Sequence, residues 1–341
     1  MITTSAYPRQ LEPGTWQQEL ADAITSPQEL AAALDLDPRA LAGATEASTS
    51  FRLRVPRAFV ARMRRGDPDD PLLRQVLPVA AETIGIAEYV ADPVGERAAL
   101  RAPGLLQKYR GRALLIATEA CAVHCRYCFR REFPYAEQHD AEAPRFAEAL
   151  AEISRDDSLE EIILSGGDPL SLSNARLESL TRALTAIPHV RRIRVHTRQP
   201  VVLPSRVDEG LLRWLRGCTL PMVVVLHVNH PNELDAQLAS ACARLRATGI
   251  TLLNQSVLLA GINDDVAVLA LLSRRLFDAG VLPYYLHALD RVRGAAHFAV
   301  ADERAQALAG QLAARLPGYL VPRLVREVAG ASAKVTLAPA L

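Results

Sequence analysis

Lysine is almost absent. Of the 39 basic residues in this 341-residue chain only two, Lys108 and Lys334, are lysines, so any chemistry that needs a primary amine has two candidates. Long apolar runs are missing too. None approaches the roughly 20 residues of a membrane span, and stretches such as Val223-Val224-Val225-Leu226 are strand-sized. Neither sign of charge is in surplus: 39 basic against 38 acidic residues leave +1, which gives no electrostatic reason for a nucleic-acid or membrane partner. The N-terminus (Met1-Ile2-Thr3-Thr4-Ser5) lacks the basic start and apolar run of a signal peptide, and a cytoplasmic location is the expectation. Cysteines number five, and three of them (Cys121, Cys125, Cys128) fall within eight residues. An odd, clustered set in a large chain argues against a disulfide framework.

What is present is a chain half apolar and 23% charged, enough for a large core. Ser26-Pro27-Gln28-Glu29 has the form of a capping box with proline at the first helical position, and Leu30 and Leu34 follow at helical spacing. Gly66-Asp67-Pro68-Asp69-Asp70-Pro71 is a turn-rich break. Residues 1–100 are therefore expected to be a mainly helical lead-in. From about residue 110, strand-like runs (113–117, 161–164, 192–196, 222–228, 251–259, 281–286) alternate with amphipathic stretches such as 173–187 and 233–248. Such alternation means βα units and a parallel sheet. Six units predict an α/β chain with a partial (β/α)6 TIM-like barrel over 101–341, its functional residues at the carboxyl ends of the strands.

Cys121-Ala122-Val123-His124-Cys125-Arg126-Tyr127-Cys128 has the spacing C-x3-C-x2-C directly after the first of these runs. Three soft thiolates in one loop suit an iron–sulfur cluster or zinc. A four-iron cube would keep one iron open to a small molecule; a Cys3His zinc site would recruit His124 or His139. Ser165-Gly166-Gly167-Asp168-Pro169 ends the second run. Paired glycines let backbone approach a ligand, and the carboxylate can accept from an ammonium.

The cysteine spacing, with an aromatic before the last cysteine, resembles the radical S-adenosylmethionine (SAM) superfamily. The segments 67–82, 129–131, 196–200, 229–233, 254–259 and 283–285 narrow the resemblance to the lysine 2,3-aminomutase family, over roughly residues 50–340. The resemblance implies a [4Fe–4S] cluster on Cys121, Cys125 and Cys128, SAM against Gly166, Gly167, Asp168, Arg198 and His230, and pyridoxal 5′-phosphate (PLP) beside the cluster. Lys334, in Gly330-Ala331-Ser332-Ala333-Lys334, stands where the family places its PLP Schiff-base lysine, although the family's metabolic members have a glycine-rich run there. Read without the resemblance, Lys334 is a solvated lysine on a frayed tail. Lys108 and Arg112 match basic residues that reach the PLP phosphate. Arg130 matches the arginine that binds the substrate carboxylate, and Asp290 and Glu327 match the two acids that hold a lysine ε-ammonium, the second usually aspartate.

The family's metabolic members carry a cysteine-bearing C-terminal extension, whereas no cysteine follows Cys242 here. With segments 283–290 and 294–298, this end resembles the branch of the family that makes (R)-β-lysine from (S)-α-lysine for attachment to translation elongation factor P. That implies an isomerase working with L-lysine, a flavodoxin- or ferredoxin-like electron donor, a β-lysine ligase and elongation factor P; a homo-oligomer is compatible with it. The alternatives are a catabolic lysine 2,3-aminomutase feeding a β-lysine pathway, and a non-catalytic zinc-stabilised barrel. Cys218 and Cys242 read as core thiols.

Overall fold

The computed structural model describes residues 15–135 and 146–340. Its lead-in is a series of short helices, α1 (Trp16–Ala21), α2 (Pro27–Ala33), α3 (Ala44–Ser50) and α4 (Arg57–Val60), joined by turns. The start of α2 follows the sequence reading: Pro27 opens the first turn, Ser26 Oγ accepts the Glu29 N–H, and Leu30 and Leu34 are buried. The Glu29 carboxylate pairs with Arg57 rather than folding back to close the box.

Strands follow. A hairpin of β1 (Leu100–Ala102) and β2 (Leu105–Tyr109) precedes β3 (Arg112–Thr118), with β2 antiparallel to β3. Parallel pairing then runs through β4 (Glu161–Gly166), β5 (Arg192–Thr197), β6 (Met222–Leu226), β7 (Thr251–Val257), β8 (Leu282–His287) and β9 (Arg323–Arg326). A last short strand, β10 (Val335–Thr336), lies antiparallel on β9. The crossovers are α5 (Ala147–Arg155), α6 (Asn174–Thr185), α7 (Gln199–Val202) with α8 (Glu209–Gly217), α9 (Ala236–Arg246), α10 (Val266–Asp278) and α11 (Asp302–Arg315). Six strand–helix units are present, as the sequence predicts, but the strands stand in sequential order and the first does not pair with the last, so the barrel is open. Four strands, β1, β2, β9 and β10, were not anticipated around these units. Residues 100–109 form the hairpin, which puts Lys108 inside β2, and β9 escapes notice because Arg323 and Arg326 flank its two buried residues, Leu324 and Val325.

Side-chain alternation sorts the two faces of the sheet. Ala113, Ile162, Ile193 and Met222 pair in one row, and Leu115, Leu164, Val195, Val224 and Leu252 in another; all join the core against the helices. The intervening Leu114, Ile163 and Arg194 face an internal cavity. Ser173, Asp208, Asp235 and Asp265 each accept a first-turn N–H and so cap the starts of α6, α8, α9 and α10. The lead-in packs through Phe59, Leu72, Leu73 and Val76 onto Ala122 and Val123 of the cysteine loop and Val202 and Leu203 after β5. No helix among the described residues is long and apolar enough to cross a membrane.

Candidate active site

A cavity of about 500 Å³ occupies the concave face of the sheet, lined from β2 to β5, from β7 to β9, and by His227 just past β6. Every residue that the resemblance assigns to the cluster, SAM, PLP or substrate lines it except His230. His230 instead uses Nδ1 to accept the Asn232 N–H (3.1 Å) and so starts a tight turn over Pro231–Glu233. That bond occupies one ring nitrogen, and the side chain is 8% exposed; the expected place against SAM does not match this position.

The cysteine loop follows β3 and is gripped from behind by the lead-in. His124 N–H donates to Arg54 O and Arg126 N–H to Gln75 O, both at 2.9 Å. The buried Arg126 guanidinium clamps Glu82 through Nε (2.8 Å) and Nη2 (2.5 Å), and Arg131 shares the same carboxylate. Cys121, Cys125 and Cys128 all reach the cavity. Burial pushes the Cys121 thiol up and the Cys128 thiol up to about 11, so a cationic metal group is what would make them thiolates at neutral pH. Among the described residues no three His, Cys, Asp or Glu side chains surround a single ion. A zinc ion needs four ligands about one point, whereas an iron–sulfur cube takes each thiolate on a different iron. His124 turns away, its Nδ1 on Arg52 O (2.9 Å) and its ring on Phe51; His139 lies outside the described residues. The donor set fits a cluster better than zinc.

The Gly166-Gly167-Asp168 turn lines the cavity and also has a structural job. A Cβ on Gly166 would stand 2.6 Å from Thr118 O, and one on Gly167 would stand 2.5 Å from Ala120 O. The glycines thus let this turn press on the strand end that launches the cysteine loop; Gly166 also has φ +110°, the left-handed side. Asp168 accepts four hydrogen bonds, at Oδ1 from Leu170 N–H (3.0 Å) and Thr197 Oγ1 (2.6 Å), and at Oδ2 from Arg198 N–H (2.7 Å) and Gln199 N–H (2.9 Å). Its lone pairs are spent on joining the β4 and β5 loops, so it offers little to a ligand ammonium.

Charge at the other end of the cavity converges on Glu327. Lys108 Nζ stands 2.7 Å from Oε1 and Lys334 Nζ 2.5 Å from Oε2. Burial would raise this carboxyl, but the two ammonium groups prevail and hold it down at about 2. Asp290 also lines the cavity and makes no salt bridge among the described residues. Burial first, and the Glu327 charge second, push it up to about 7 against the pull of Lys334 and Lys108. Lys334 is tied down rather than frayed: β10 follows at once, Leu337 N–H bonds Leu324 O, and Ala340 N–H bonds Gln306 O. Lys108, expected at a phosphate, is instead held between Glu327 and Glu96, the latter at 3.7 Å. Arg112 carries no ion pair among the described residues and lies over the Tyr109 ring, 4.7 Å from its centroid.

Arg130 departs from expectation as well. Nε and Nη2 grip Glu96 at 2.7 Å each, and Nη1 serves Ser165 Oγ (2.9 Å) and Gly166 O (3.2 Å). Four of the five guanidinium N–H groups are committed, so a substrate carboxylate would find one donor and not a fork. Glu96 was missed because nothing in its own segment signals it; only the fold brings it beside Arg130. Three unpartnered buried atoms were also missed: Tyr109 Oη, His196 Nε2 and His287 Nε2. They come from β2, β5 and β8, all lining the cavity, and burial holds both histidines neutral, His287 at about 3. Such atoms need a polar occupant. A phosphorylated pyridine fits this end, with Lys334 for its carbonyl and Arg112 and Tyr109 for its anion.

An open parallel barrel whose first βα loop delivers three cysteines to a lined cavity is the arrangement of a radical SAM enzyme, and residues 115–272 match the family model of the Radical SAM superfamily. Over nearly its whole length the chain is similar to proteins named L-lysine 2,3-aminomutase. It is 48% identical to that of Escherichia coli (strain K12) and 43% to that of Haemophilus influenzae, covering 94% of this chain and 94% of the relative in each case. With the Clostridium subterminale protein the identity is 33%, over 95% of this chain and 78% of that one. The chain belongs to the L-lysine 2,3-aminomutase family and is an isomerase. Membership implies a [4Fe–4S] cluster, SAM and PLP.

Proposed function

We propose that the chain converts L-lysine to β-lysine with PLP held by Lys334, and that the product serves the β-lysylation of elongation factor P. One observation carries the choice of substrate. The chain's only two lysines both place their ammonium groups on one cavity carboxylate, Glu327, and a second carboxylate, Asp290, without an ion pair among the described residues, lines the same cavity. The protein's own side chains therefore display the ligand chemistry of this end: a primary ammonium on a flexible alkyl stem.

The roles follow. Cys121, Cys125 and Cys128 hold the cluster at the carboxyl ends of the strands. Arg112, free of ion pairs among the described residues, and Tyr109 take the cofactor phosphate. Arg130 presents its remaining N–H to the substrate carboxylate, with Glu96 fixing its orientation. When lysine enters, its distal ammonium takes the place on Glu327 that Lys334 leaves, and Asp290 gives up its proton to become the second counter-ion. When bound, the cluster with SAM supplies a carbon radical that removes hydrogen, and PLP supplies the carbonyl carbon that carries the migrating nitrogen. The concave face keeps this chemistry from bulk water.

The elongation-factor branch is supported by segment 283–290, whose resemblance pointed there and which, in the structure, forms β8 and the loop carrying Asp290. A flavodoxin- or ferredoxin-like donor and a β-lysine ligase complete the reading. Norleucine, which keeps the chain length of lysine without the ammonium, tests the substrate: turnover of lysine alone supports the reading, and comparable turnover of both removes it. Intact-mass analysis of elongation factor P from cells with and without the gene tests the destination. An adduct that depends on the gene supports β-lysylation; an unmodified factor in both favours the catabolic alternative.

A further inference from the structure

Behind the cysteine loop lies a buried polar knot around Arg198, which the resemblance sets against SAM and which the roles just proposed leave without a task. Arg198, just past β5, sends Nη1 to Cys125 Sγ (2.8 Å) and to the Tyr127 hydroxyl (2.5 Å), and Nη2 to Gln75 Oε1 (2.6 Å) and Glu233 Oε2 (3.0 Å). Asn229 Nδ2 donates to the same hydroxyl (2.6 Å) and to Gln75 Oε1 (3.0 Å). Gln75 Nε2 returns to Glu233 Oε1 at 3.3 Å, an oxygen that also accepts Asn229 and His230 N–H groups. Arg198 is 5% exposed, and Gln75 and Glu233 are fully buried. The knot joins the lead-in, the cysteine loop and the loops after β5 and β6. A guanidinium used only as a tie could end on oxygen; this one places an N–H on a thiol sulfur.

Hydrogen bonds and net charge at ligand sulfurs set the potential of an iron–sulfur cluster. Reduction brings one electron from an external reductant and leaves the cluster and its thiolates one unit more negative. A buried cation on Cys125 Sγ favours that reduced form, and the Glu233 carboxylate on the far side of the guanidinium opposes it.

We propose that Arg198 is a positioning residue that raises the reduction potential of the cluster through its N–H on Cys125 Sγ, with Glu233 setting how much of its charge the sulfur feels. The proposal rests on the cluster reading of the three cysteines and not on the identity of the amino-acid substrate.

The test uses the full chain with its cluster rebuilt anaerobically, iron and sulfide counted, titrated with dithionite in mediators without SAM, and the reduced cluster read by electron paramagnetic resonance. Arg198→Gln is expected to shift the midpoint to more negative potential and Glu233→Gln to more positive. Opposite signs are the signature of electrostatics at the sulfur; a knot that only holds loops together would move both variants the same way or neither. If Arg198→Gln retains no cluster, Glu233→Gln decides alone, a positive shift sustaining the proposal and an unchanged or more negative potential overturning it. Wild-type protein that rebuilds no four-iron cluster would remove the cluster reading along with the proposal, whereas a normal cluster with unresponsive variants would remove the proposal alone.

Discussion

With Asp290 facing the distal ammonium, as proposed, lysine binding is expected to depend on pH, and the direction and size of the effect follow from its surroundings. Its pKa in the cavity is raised to about 7 from an ordinary 3.8, so near pH 6 the substrate-free site holds it mostly protonated. A distal ammonium needs the carboxylate, and binding must therefore expel a proton below the raised pKa. Each pH unit below it costs about 1.4 kcal/mol, or tenfold in affinity. Lys334 is among the groups that lower this pKa; converting its ammonium to an imine moves the break to pH 7 or above. The assay is KM for lysine under anaerobic conditions with SAM and PLP saturating, from pH 6 to 8.5. KM should rise as pH falls below the break, approaching about tenfold per unit, with a much smaller change in kcat. Asp290→Asn should show a high KM that no longer follows pH in this range. A wild-type KM that stays flat from pH 8 to 6, or an Asn variant with the same slope, would refute the assignment of Asp290 to the distal ammonium.

Other expectations are direct. Lys334→Ala should lose the absorbance of bound PLP while keeping its iron, and a retained chromophore would place the Schiff base elsewhere. Asp168→Asn breaks the four-bond tie between the β4 and β5 loops and should cost about 2–4 kcal/mol, read as a lower thermal midpoint; a wild-type midpoint would mean the carboxylate is not structural. Gly167→Ala drives a Cβ into Ala120 O and should lower the iron bound per chain, since it displaces the strand end that launches the cysteines. Glu327→Gln should raise the KM for lysine by at least tenfold, since it removes a charge-assisted partner of the ammonium.

Some of this was open to reading in the chain. The cysteine spacing located the cluster loop, and the scarcity of lysine drew attention to Lys334 before any fold was known. Alternating runs gave six βα units because β3, β4 and β6 carry consecutive apolar residues and β5 alternates Ile and Val with polar residues. The strand β9 was hidden because its ends are arginines, and its pairing partner β8 lies more than thirty residues earlier. Within the site, residue types foretold ligand contacts that packing had already claimed. Asp168 spends its oxygens on loop backbone, Arg130 on Glu96, and Lys108 on Glu327. Glu96 and Gln75 belong to the lead-in, far in sequence from the arginines they meet, and only tertiary structure puts one beside Arg130 and the other beside Arg198. A motif states which chemistry is present; the competition for each lone pair is decided by neighbours the motif does not contain.

The most direct test of the account is anaerobic turnover of lysine by the reconstituted chain with SAM, PLP and a strong reductant, beside Lys334→Ala carrying a verified cluster. The account predicts β-lysine from the wild type and none from the variant. Cleavage of SAM without β-lysine, or β-lysine from both proteins, would contradict it.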